Sequence, residues 1–281
     1  MSSLTIFTTM TNPESRNDPW REALECYNHF ADEVVTEGKD WPTEFSWEYI
    51  GEIFQKGFDN STCDWVMRMD IDYFLHEKHK NKLRSALEVY NQYPAISLPQ
   101  YQIFTPNRYQ IKTRICLIFN KKMFSNIKLN GGGDLTLATL NGKLLDPKEM
   151  PMVNIPIFQY ESTFRTKEII RQDRARFARA WFKYFGTYET RGGPTPDEAY
   201  EAWFLEIKKR YPKHSFKLSH KSHPSFIQKK LSQIDKTQFG FDAFGLLTST
   251  KFSKKYLIKG LREKYLNPIM YKPNLETQYL E

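Results

Sequence analysis

The opening of this chain leaves few folds open to it. Leu4 to Met10 is a short β-rich run, followed by Thr11-Asn12-Pro13 and a polar loop that ends at Asp18-Pro19. Asp18 is placed to cap a helix and Pro19 to occupy its first turn. Ala23, Leu24, Tyr27 and Phe30 then recur at helical spacing, and Ala31 to Gly38 reads as a second strand ending at a turn. Strand, helix, strand in so short a space is a βαβ unit, whose crossover is right-handed and whose strands are parallel. The expectation is an α/β protein on a mostly parallel sheet flanked by helices, with ligands at the carboxyl ends of the strands.

A second crossover brings chemistry to that place. Ser46 can cap a helix carrying Trp47, Ile50, Phe54 and Phe58, which returns the chain to an apolar strand, Asp64 to Met69. Asp70-Ile71-Asp72 follows directly. A charge at the end of an apolar strand is costly unless it is paired, hydrogen-bonded or bound to metal. Two carboxylates one residue apart can both turn to one hard divalent cation, Mn²⁺ or Mg²⁺, while a diphosphate supplies further oxygens. The bland alternative is a solvated turn.

Further along, Leu83, Ala86, Leu87 and Tyr90 mark a helix, and Ala95 to Leu98 and Ile115 to Phe119 read as strands. Ile127 to Leu129 precedes Asn130-Gly131-Gly132-Gly133-Asp134, a turn in which backbone can approach a ligand closely. From about Thr166 the period becomes helical, with Ile170, Phe177, Trp181 and Phe185 on one face and a basic opposite face. Thr195-Pro196-Asp197-Glu198 combines a capping box with proline at the first helical position. The chain thus divides into an α/β part over 1–165 and a helical, basic extension over 166–281 that packs on it.

A formal charge of +8, from 41 Lys and Arg against 33 Asp and Glu, favours anionic partners. Cys26, Cys63 and Cys116 form no Cys-x-x-Cys pattern, which points away from a disulfide framework or zinc knuckle and towards a reducing compartment. With no basic leader and no long apolar segment, the expectation is a soluble cytoplasmic protein. The usual glycine signatures of a P-loop, a Rossmann dinucleotide site and a serine-hydrolase elbow are absent. Lys251, Lys254, Lys255, Lys259, Arg262 and Lys264, interleaved with Phe252, Tyr256 and Leu257, could bind phosphates, nucleic acid or a membrane surface, although an amphipathic helix packed on the core with a wet basic face is the preferred account. His76 and His79, three apart near Asp72, could form a metal pair, although a solvated first turn is the better account of them.

The run Asp64-Trp65-Val66-Met67-Arg68-Met69-Asp70-Ile71-Asp72-Tyr73-Phe74 resembles the aspartate motif of GT-A-type, family-2-like glycosyltransferases. That resemblance implies a GT-A-like, Rossmann-like domain and a nucleotide-diphosphate sugar donor. It implies a glycan, lipid-linked or other hydroxyl acceptor, and no nucleic acid. By the same resemblance Asp72 is the direct metal ligand and Asp70 holds the ribose or a metal-bound water. Thr8 and Thr9 line the nucleotide pocket, Glu37 contacts base or ribose, and Asp134 is the base of an inverting transfer, although the Glu that usually precedes that Asp is missing. Gln159 stands where some relatives place a metal-binding His, and His214, His220 and His223 are the remaining imidazoles.

The sequence therefore predicts a metal-dependent glycosyltransferase. The rival is a basic nucleic-acid-binding or scaffold protein whose two aspartates are structural, and a nucleotidyltransferase is a third reading.

Overall fold

The computed structural model describes residues 2–10, 12–39, 41–44, 46–129, 138–210, 215–246 and 254–266. The opening unit is β1 (Leu4–Thr9), α1 (Trp20–Phe30) and β2 (Glu33–Glu37), followed by α2 (Trp47–Asn60) and β3 (Trp65–Arg68). β1 lies between β2 and β3 and is parallel to both, with Phe7 opposite Val35 on one side and Arg68 on the other. Ser46 caps α2 as its sequence predicts, accepting from the Tyr49 amide. Asp18 does not cap α1: Pro19 holds that position without a side-chain bond, and the Asp18 carboxylate turns inward to Arg165.

After β4 (Tyr73–Phe74) and α3 (Lys80–Val89) come β5 (Ala95–Thr105) and β6 (Arg108–Asn120). The two short apolar runs expected from sequence are the ends of one long hairpin, whose middle is built from buried polar residues such as Gln100, Gln102 and Gln110. β7 (Lys128–Leu129), β8 (Ala138–Leu140) and β9 (Lys143–Leu144) make a separate small sheet, and β10 (Ile157–Gln159) returns to the main one. The main sheet runs β2-β1-β3-β6-β5-β10-β4, with β11 (Phe216–Lys217) added on β6. It is mixed. The β2-β1, β1-β3 and β5-β10 pairs are parallel, as the βαβ opening predicts for its own strands, whereas β6 runs antiparallel to β3, β5 and β11, and β4 antiparallel to β10.

The chain length between β3 and β4 shows that this sheet curls. Three strands separate them in the sheet but only residues 69–72 separate them in sequence. In a flat sheet four spacings of about 4.8 Å would set them about 19 Å apart, beyond the reach of five steps of about 3.5 Å. The linker is not even extended, because the Tyr73 amide closes a turn on the Asp70 carbonyl at 2.8 Å. Register shifts in β5–β6 after Ile96, Gln100 and Ile103 supply the bending that a curled sheet needs.

Both faces are covered. Tyr27 and Phe30 of α1 pack with Ile6 and Met67, and Ile227 and Leu231 of α6 (Ser225–Leu231) join the same cluster. On the other face Trp47, Phe54 and Phe58 of α2 pack with Phe7, Val66 and Trp181 of α4 (Lys167–Phe185). Thr166 caps α4, and the Thr195–Glu198 box opens α5 (Pro196–Arg210) with reciprocal bonds. α7 (Phe239–Asp242) and α8 (Lys254–Leu261) complete the described helices. Because β11 and α6 join the sheet and core of the first part, residues beyond 165 share its hydrophobic core. Among the described residues, no helix is long and apolar enough to cross a membrane.

Candidate functional site

Asp70 and Asp72 occupy the first and third positions of the β-turn that joins β3 to β4. Its backbone is pinned from several sides. The Met69 amide bonds to the Phe7 carbonyl at 2.9 Å, and the Tyr160 amide to the Asp72 carbonyl at 2.9 Å. The buried Tyr27 hydroxyl donates to the carbonyls of Asp70 and Tyr73 at 2.5 and 3.0 Å.

The two side chains differ sharply. Asp70 is 35% exposed, 3.6 Å from the guanidinium of Arg68, which lies over the Phe54 ring. Asp72 is buried, and among the described residues no hydrogen bond or ion pair reaches its carboxylate. Burial, then the charges of Asp70 and Asp18, push its pKa up to about 8 against the opposing pull of Arg165. The expected solvated turn is thus half realised: one carboxylate is wet, and the other is buried with its charge only partly offset by Arg165.

Beside them lies a buried ionic network that sequence reasoning missed. Arg165 donates to Asp18 at 3.1 and 2.6 Å and to Asp173 at 2.7 Å, and Arg16 sits 3.3 Å from both of those carboxylates. Glu161 pairs with Arg174 of α4. Burial alone would raise the Glu161 carboxyl, but Arg174, Lys112 and Arg165 outweigh it and hold the pKa at about 2. Arg165 is likewise favoured in its charged form by Asp18, Asp173 and Asp72 although burial opposes this. No local pattern announces these pairs, since Asp18 and Arg165 stand 147 residues apart.

The other sequence-predicted residues are spread along and beyond the rim. Thr8 and Thr9 run alongside Met69 and Asp70, because Phe7 pairs with Arg68. Thr8 is fully buried, and among the described residues its hydroxyl has no partner. Glu37 is paired with Thr9 in register, and its carboxylate is held by Lys56 at 3.0 Å and Asn60 at 2.6 Å on α2. Gln159 pairs with Tyr73 in register, one residue past Asp72. His223 is buried away from the turn and bonded to Tyr160 and Pro106, while His220 is exposed. Asp134 and its glycines, and His214, lie outside the described residues.

A divalent cation is the group the aspartates suggest. Among the described residues no three His, Cys, Asp or Glu side chains converge to hold one. Asp72 nevertheless fits such an ion, because a buried carboxylate whose charge Arg165 offsets only in part is what a bound cation relieves, and its neighbour Asp70 adds a second oxygen donor. Water and a phosphate-bearing ligand would have to complete the shell. Two surface cavities, of about 350 and 590 Å³, are lined by neither aspartate.

No protein-family profile matches the chain, and no curated protein matches it. Among solved structures, S. aureus TarS 1–349 in complex with UDP aligns over 68% of this chain and 74% of its own, at 10% identity and a TM-score of 0.34. S. aureus TarS 1–349, and the same protein in complex with UDP-GlcNAc, align over 87% of this chain and 90% of theirs, at 9% and 8% identity and TM-scores of 0.35. Likeness at this level leaves the function to be read from the residues of this chain.

Proposed function

We propose that this chain is a glycosyltransferase that moves a sugar from a nucleotide-diphosphate donor to a hydroxyl acceptor. One observation carries the proposal: Asp72 is a buried carboxylate that no hydrogen bond or ion pair reaches among the described residues, two residues from the partly exposed Asp70, at the strand-end rim where α/β sheets take ligands. A structural carboxylate would find a donor or a cation, as Asp18, Glu161 and Asp173 all do in the neighbouring ionic network. The motif around Asp70 and Asp72 points the same way.

Asp70 and Asp72 would hold a Mn²⁺ or Mg²⁺ ion, which when bound neutralises the charge of the leaving diphosphate. The chain's own residues do the rest. Arg68, packed on the Phe54 ring, holds its guanidinium 3.6 Å from the Asp70 carboxylate. Thr8 offers an unsatisfied hydroxyl at the nucleotide side, whereas Glu37, already tied to Lys56 and Asn60, is the poorer donor contact. Inverting transfer needs a carboxylate base on the acceptor side. Glu161, held at about 2 by Arg174 and its other cationic neighbours, is too weakly basic, so Asp134 is the residue to test.

The experiment is hydrolysis of UDP-, GDP- and CDP-sugars by the full chain with and without Mn²⁺. Metal-dependent release of the nucleoside diphosphate, lost in Asp72→Asn, is the expected result. Release of pyrophosphate would assign a nucleotidyltransferase instead, and no turnover combined with salt-sensitive RNA binding would assign the basic scaffold.

A further inference from the structure

α8 and the π-helical turn that continues it, Arg262–Leu266, hold apolar residues on the wrong side for a helix that only covers a core. The inner face is narrow. Gly260 is buried, with the Phe216 ring of β11 3.4 Å from where its Cβ would stand. The Lys264 ammonium lies 4.3 Å from the centre of the same ring, and Glu263 sits 3.6 Å from Arg114 of β6. The outer face carries Ile258, Leu261, Tyr265 and Leu266, which are 54, 42, 56 and 52% exposed. Ile258, Leu261 and Tyr265 follow the i, i+3, i+7 spacing of a single helix stripe.

One exposed leucine means little, because much of any protein surface is apolar. Of the twelve large apolar side chains exposed among the described residues, however, four fall in the nine residues from Ile258 to Leu266. Apolar side chains gathered in this way mark a surface that leaves water when it meets a partner. The charges beside them are of one sign. Lys254, Lys255, Lys259 and Arg262 are exposed, and among the described residues no hydrogen bond or ion pair engages them. Lys255, Lys259 and Arg262 repeat at i, i+4, i+7 and so form a second stripe alongside the first. The one acidic residue of the segment, Glu263, is turned to Arg114.

We infer that this helix lies in the plane of an anionic lipid surface, with Ile258, Leu261, Tyr265 and Leu266 at the headgroup–acyl boundary and the basic stripe on the lipid phosphates. Such a helix needs both halves, apolar area to bury and cations to meet the negative leaflet. Tyr265 suits that depth, since its ring is apolar and its hydroxyl stays at headgroup level. A nucleic acid would engage the basic stripe through its phosphates and leave the apolar stripe in water. A protein partner fits less well, because lysine is depleted at protein interfaces. No residue of the aspartate turn enters this inference, so it stands apart from the glycosyl-transfer reading.

The test is co-sedimentation of the full chain with vesicles of phosphatidylcholine alone and of phosphatidylcholine mixed with phosphatidylglycerol. The expected result is binding to the mixed vesicles and not to the neutral ones. Ile258→Ser combined with Leu261→Ser should weaken that binding about tenfold or more and leave its salt dependence in place. Lys255→Gln combined with Arg262→Gln should weaken it by about as much and flatten the salt dependence. All four side chains are exposed, so urea midpoints should stay native. Should the serine pair lower the midpoint, the exposed Tyr265, changed to serine alone, takes its place. Three results overturn the inference. The native chain fails to bind the mixed vesicles, the apolar substitutions leave vesicle binding intact while RNA competes for the same surface, or the serine pair dissociates a dimer of the native chain, which would assign the stripe to a second copy.

Discussion

Arg165 donates from both Nε and Nη2 to a single oxygen of Asp18, at 3.1 and 2.6 Å, with both side chains almost wholly buried. This pair ties the loop before α1 to the segment between β10 and α4, the two stretches that flank the aspartate turn. Breaking a buried pair by removing one partner costs about 3–5 kcal/mol, because a charge is left uncompensated. Asp18→Ala is therefore expected to lower urea-unfolding stability by about that amount. Asp18→Leu combined with Arg165→Met should cost clearly less than the two single losses summed. Additive losses in this double-mutant cycle would show that the pair is not coupled.

Asp72→Asn separates the stability of the turn from its function. Burial and the neighbouring Asp70 and Asp18 disfavour the charged form of Asp72 more than Arg165 favours it, so an isosteric neutral amide removes a burden from the metal-free protein. The variant is expected to unfold at a urea midpoint equal to or above that of the native chain. In the same scan it should lose the stabilisation that Mn²⁺ with a nucleotide diphosphate confers on the native chain, since a ligand that binds only the folded state raises its apparent stability. A variant that keeps that shift excludes Asp72 from the site.

How much of this was readable from the sequence depended on distance along the chain. The Ser46 cap and the Thr195–Glu198 box are local devices spanning three residues, and both form as expected. The parallel pairing of β1 with β2 and β3 followed from the βαβ order. The β5–β6 hairpin was read too short because Gln100, Gln102, Gln110 and Arg114 look solvent-facing in sequence, yet all are buried. Asp18 looked like a helix cap because its partner, Arg165, lies far off in the chain. Burial of Asp72 was equally hidden, since it depends on the curl that brings edge strand β4 back to β3.

His223 makes stability depend on pH. The Pro106 carbonyl can only accept, so Nε2 carries the proton towards it at 2.7 Å, and Nδ1 accepts from the Tyr160 hydroxyl at 2.7 Å. Burial pushes the pKa down to about 4, although the Pro106 bond opposes this. The native state thus keeps the ring neutral where the unfolded chain, with a pKa of about 6.5, takes up a proton. The contribution is fully present above pH about 6.5 and is lost as pH falls towards about 4, by roughly 3 kcal/mol in all. Urea midpoints measured from pH 7 to 4 should fall more steeply for the native chain than for His223→Gln. Parallel profiles would mean that His223 titrates normally.

Gly57 sets the distance between α2 and β1. A Cβ built there lies 2.4, 2.8 and 3.0 Å from Cδ2, Cε2 and Cγ of the buried Phe7 ring. Helix propensity favours Gly57→Ala by about 1 kcal/mol. Overpacking a filled core costs about 1–3 kcal/mol, and Phe7 cannot swing clear, because its neighbours on α2 and β3 fill the same cluster. The net expectation is a loss of roughly 1 kcal/mol, restored in part when Gly57→Ala is combined with Phe7→Leu. The displacement should also reach the site, since the Phe7 carbonyl accepts from the Met69 amide immediately before Asp70. Nucleotide binding in the presence of Mn²⁺ is therefore expected to weaken in Gly57→Ala even at temperatures where the variant is fully folded. A Gly57→Ala protein as stable and as tightly binding as the native chain would mean that the α2–β1 contact is looser than these distances require.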